Sequence, residues 1–122
     1  MNQIPRLMPR FYLGQLDLLV QLAEEASELS AAAAKMVRVI RGVNPTPVKY
    51  EEALAALLEE AADVQVVLGE VLNMDDWERV SILRTEKLSR WTRRLEKAHA
   101  VQQSEKLSRL IDSLEEEHAE KD

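Results

Sequence analysis

LAALLEEAADVQVVLGEVL, residues 54–72, is apolar almost throughout yet carries Glu59, Glu60 and Asp63 at its centre. Steps of three and four, which return to one face of a helix, select Ala53, Leu57, Glu60, Val64, Val67 and Val71. A second stretch, EEASE at 24–28, has the same setting: Leu18, Leu22, Glu25, Leu29, Ala32 and Met36 share a face. Each seam is apolar except at one position, and that position is Glu. Its acidic partner three residues on, Asp63 or Glu28, lies roughly 60° around the helix. The pattern therefore places two acid pairs at the rims of two core-facing helical stripes.

An ionised carboxylate in such a seam is costly unless a cation compensates it. Oxygen-only ligands suit a hard divalent ion, Mg²⁺ or Mn²⁺. Ala26, Ser27, Ala61 and Ala62 leave room beside the four acids. A single ExxE is usually a solvated helix face. The same register defect on two consecutive helices separates this chain from that case, although solvated acids stay an open alternative.

Outward from these stretches the chain reads as helix. After Pro9 a helical pattern runs to about Arg41, and Gly42 ends it. The second helix is expected from about Pro47 to Leu72, with Thr46 as cap and Pro47 in the first turn. The third is expected from Asp76 to about Ala98, with Asp75 and Glu78 spaced as a capping box. Beyond it Leu107, Leu110, Ile111 and Leu114 form a narrow stripe, on a fourth helix from Ser104 or on a continuation of the third. No strand pattern appears. The expectation is an all-α, antiparallel bundle of three to four helices, completed by oligomerisation, because this composition leaves an apolar face uncovered.

Composition narrows the function. The 122 residues include no cysteine, which excludes disulfides and cysteine-based zinc sites. No apolar run approaches the ~20 residues of a membrane span, and the N-terminus lacks the apolar core of a signal peptide. A cytoplasmic protein without membrane contact is expected. The net charge of −6 argues against nucleic acid as a partner. Locally the balance reverses: residues 78–97 hold seven Lys or Arg against three acids. Lys87 and Arg94 fall in the arc of Val80, Leu83, Trp91 and Ala98, and Arg90 flanks it. Such cations either snorkel to water or meet an anionic ligand.

EEASEL followed about thirty residues later by LEEAADV resembles the MazG-type all-α nucleoside triphosphate pyrophosphohydrolases, whose signature is ExxE on one helix and ExxD on the next. Here the matches are Glu25 with Glu28 and Glu60 with Asp63, and EKLSRWTRRL resembles the basic helix that follows. The resemblance covers roughly residues 12–97. It implies a MazG-like domain over 1–98, with 99–122 as a helical extension of the same unit, assembled as a homodimer or homotetramer. It also implies hydrolysis of a nucleoside triphosphate to the monophosphate and pyrophosphate with Mg²⁺, in a nucleotide-pool or house-cleaning role. Glu25, Glu28, Glu60 and Asp63 carry over as metal ligands, and Lys87, Arg90 and Arg94 as phosphate contacts, joined less directly by Lys35 and Arg38. Glu24 and Glu59, each preceding a ligand position, are candidates to support the site or to accept the water's proton. Phe11, Tyr12, Trp77 and Trp91 are candidates to stack on a base, or core aromatics.

Two other classes compete. A di-iron bundle requires ExxH motifs, and Glu96 with His99 and Glu115 with His118 have that spacing, in a polar region. A non-catalytic helical oligomerisation or interaction module would keep the helices and leave the acids solvated.

Overall fold

The computed structural model describes residues 8–42 and 47–121. They form a short 3₁₀ turn, Pro9–Phe11, and three helices: α1 (Gln15–Arg41), α2 (Tyr50–Val71) and α3 (Met74–Lys121). The described residues contain no strand. None of their helices is long and apolar enough to cross a membrane. The chain divides into two compact units, Met1–Asp76 and Trp77–Asp122.

The first unit is built on α1 against α2. Its antiparallel sense follows from two pairings: Arg10, before α1, meets Glu70 near the end of α2, and Glu25 meets Glu60 and Asp63 further in. The buried residues of the helices are Leu18 and Met36 on α1 and Ala53 and Val67 on α2. All four belong to the two seams read from the sequence, and the remaining seam positions are half-buried. Full burial of a Leu, Met or Val contributes about 1.5–3 kcal/mol, so this core is thin.

The helix ends show where local chemistry departs from the expected pattern. The first helix does not start after Pro9. Tyr12 and Leu13 both donate to the Pro9 carbonyl, closing a separate turn, and α1 begins only after the extended Gly14. At its far end Gly42 adopts φ 62° and donates its N–H to the Arg38 carbonyl, as expected of a glycine stop. Pro47 is not in the first turn of α2. The helix starts at Tyr50 with Lys49 at the cap position and no side-chain cap, while Glu51 and Glu52 in the first turn favour its positive end. Thr46 lies outside the described residues.

The cap of α3 is Asn73 with Asp76, not Asp75 with Glu78. The Asp76 N–H donates to Asn73 Oδ1 at 2.8 Å, and the Asn73 N–H donates to Asp76 Oδ2 at 3.0 Å. This reciprocal box starts the helix at Met74, two residues earlier than expected. The helix then runs unbroken through Ala98 and Ser104, so the described residues hold no separate fourth helix. Residues 98–104 contain neither Gly nor Pro, and nothing there interrupts the ladder. No residue of α3 is buried.

Candidate metal centre

The acid pairs converge within the first unit. Glu25 and Glu28 project from α1, Glu60 and Asp63 from α2, and one carboxylate oxygen of each lies within 4.8 Å of the others. The helical period produces this directly. Glu25 and Glu60 occupy the seams, and their partners three residues on stand at the adjacent rim. Glu25 and Glu60 are half-buried, whereas Glu28 is exposed.

The hydrogen bonding is incomplete. The Gln21 amide donates to Glu25 Oε1 at 2.7 Å, one turn before it on α1. The second oxygen of Glu25, Oε2, is buried without a partner, and so is Oε2 of Glu60. Buried carboxylate oxygens without donors are rare in folded proteins. The Gln21 bond pulls the Glu25 carboxyl down, but partial burial and the like charges of Glu28 and Asp63 outweigh it, so Glu25 titrates above its ordinary value. Among the described residues the ion pair found is Arg10 with Glu70, and no Lys or Arg neutralises the four acids.

This donor set fits a hard divalent cation. It is all oxygen and anionic, has two buried oxygens lacking donors, and is open to solvent at Glu28. Gln21 was not singled out from the sequence. Its position four residues before Glu25 is the spacing at which helical side chains pair, which is the signal that marks it.

Glu24 and Glu59 are exposed and do not belong to the converging group. Lys35 is half-buried on α1, about two turns beyond Glu28, without an ion-pair partner. The basic residues of α3 belong to the second unit. Lys87 and Arg94 line one shallow groove with Val80, Leu83 and Trp91, in the arc expected from the helical period. Arg90 lies around the helix from Lys87, beside Arg93. Trp91 is 60% exposed and Trp77 38%. His99 and His118 are exposed on α3 and join no metal-competent cluster among the described residues.

Neither a family model, nor a curated protein, nor a solved structure matches the chain.

Proposed function

We propose that the protein hydrolyses a nucleoside triphosphate to the monophosphate and pyrophosphate, using a divalent cation, Mg²⁺ or Mn²⁺, held by Glu25, Glu28, Glu60 and Asp63. The observation that carries the metal part is the convergence of four carboxylates with two buried, donorless oxygens. The resemblance of both acid motifs to MazG-type enzymes supplies the substrate class.

When bound, the cation neutralises negative charge on the phosphates and on the four acids. The chain's own residues do the rest. Glu25 and Glu60 hold their oxygens in a fixed, partly dry position between the helices, with Gln21 orienting Glu25. The resemblance of EKLSRWTRRL to the family's basic helix makes Lys87, Arg90 and Arg94 the candidates for phosphate contacts. Water adds to a phosphorus atom as the bond to the bridging oxygen breaks, and the water's proton passes to an acid, for which exposed Glu24 and Glu59 are the candidates. In this reading the enzyme works in the cytoplasm on the nucleotide pool, as a homodimer or homotetramer. The thin α1–α2 core and the uncovered face of α3 support self-assembly.

That same uncovered face favours a second reading, a helical interaction module without catalysis. A panel of triphosphates with Mg²⁺ or Mn²⁺, followed by pyrophosphate release, decides between them. Release that is lost in Glu60→Gln supports the hydrolase. Silence across the panel from a folded protein leaves the interaction module.

A further inference from the structure

The C-terminal part of α3 presents a second apolar stripe. Leu107, Leu110, Ile111 and Leu114 are 58%, 57%, 47% and 56% exposed. At ~100° per residue this stripe is turned roughly 180° around the helix from Val80, Leu83, Trp91 and Ala98. One flat surface laid against the first stripe therefore leaves the second bare.

We propose that this second stripe is the contact between two copies of the chain, packed antiparallel about a two-fold axis that passes between Ile111 and Asp112. The argument rests on the charges beside the stripe. One flank carries Lys106 and Glu117, and the other carries Ser108 and Glu115, each roughly 70–110° from the stripe's centre. An antiparallel two-fold brings like flanks together. With the axis at that point, Lys106 stands level with the partner's Glu117, and Ser108 stands level with the partner's Glu115. A single register thus gives an ion pair on one side and a hydroxyl-to-carboxylate hydrogen bond on the other, each made twice. The apolar side chains of the two copies then alternate along the seam.

A parallel pair joins unlike flanks instead. It sets Glu117 against the partner's Glu115 near the same level and leaves Lys106 opposite serine. Like charges in that position disfavour the arrangement. Four aliphatic residues fall short of the ~800 Å² per partner of a standard interface, so the contact is expected to associate on the order of micromolar. This inference fixes a surface and an orientation, and it does not rest on the metal site or on hydrolysis.

Sedimentation equilibrium of the full chain tests it across concentration, with circular dichroism to confirm helix content. The wild type is expected to associate, and Leu110→Glu with Leu114→Glu to weaken that association at least about 100-fold. Glu117→Lys sets Lys106 against a lysine and is expected to weaken association about tenfold, with recovery when Lys106→Glu is added. A monomeric wild type, an association unaffected by the double Glu variant, or one that Glu117→Lys leaves alone or strengthens would overturn the proposal. The last outcome is the mark of a parallel pair.

Discussion

Glu25 of α1 and Glu60 of α2 share one defect across the helix pair: Oε2 of each is buried and accepts no hydrogen bond. Both residues belong to the group of four acids, each of which offers one oxygen within 4.8 Å of the others. Each is also the sole acid in an otherwise apolar seam. Two buried acceptors without donors, one on each helix, are the feature that a bound cation would satisfy.

Glu60→Gln tests this directly. Wild-type melting temperature is expected to rise with Mg²⁺, by an amount equivalent to about 2.7 kcal/mol when the ion is 100-fold above its Kd. The variant is expected to lose most of that rise, because a neutral amide replaces a ligand charge. Differential scanning fluorimetry with chelator and with Mg²⁺ measures both. An equal rise in wild type and variant removes the basis for a metal at this site.

Glu25 gives a pH dependence of definite sign. Its carboxyl titrates above 4.5 in the folded chain, so ionisation costs the folded state more than the unfolded one. That penalty is fully present above the raised value and disappears below 4.5. In chelator, Glu25→Gln is therefore expected to be more stable than wild type at neutral pH. The advantage shrinks as pH falls and is gone by about pH 4. Thermal melts of the pair across pH measure the difference, and a constant or widening gap toward acid contradicts the assignment.

The start of α3 depends on Asn73. Asn73→Ala removes the acceptor for the Asp76 N–H and is expected to cost about 0.5–2 kcal/mol. Asn73→Asp keeps an acceptor and is expected to cost less. Hydrogen exchange at the amides of residues 74–77 localises the effect, which is expected to stay within the first turn.

Gly42 is a test of backbone strain alone. A Cβ there meets nothing within 4 Å, but φ is +62°. Gly42→Ala is expected to destabilise by roughly 1 kcal/mol through the left-handed conformation. Gly42→Asn, better tolerated in that region, is expected to cost less in the same denaturation measurement.

Much of this was legible in residue spacing, and the exceptions have physical reasons. Leu18, Met36, Ala53 and Val67 were readable as core because a helix repeats its burial every three to four residues, and the acids stood out as breaks in that repeat. The caps were less legible. Asn73–Asp76 and Asp75–Glu78 have the same spacing, and geometry alone chooses between them. The extent of α3 was open because the polar residues 102–106 interrupt the stripe without breaking a helix. The contact of Arg10 with α2 had no sequence signature, since a pairing across sixty positions carries no period.

That contact has a consequence for the acids. Arg10 Nε donates to Glu70 Oε2 at 2.8 Å, and its terminal nitrogen reaches the Gly69 carbonyl at 3.2 Å. The segment before α1 is thereby fastened to the last turn of α2, in the same helix pair that carries the acids. A side chain that belongs to neither acid motif thus helps to hold together the two helices on which the carboxylate quartet is mounted.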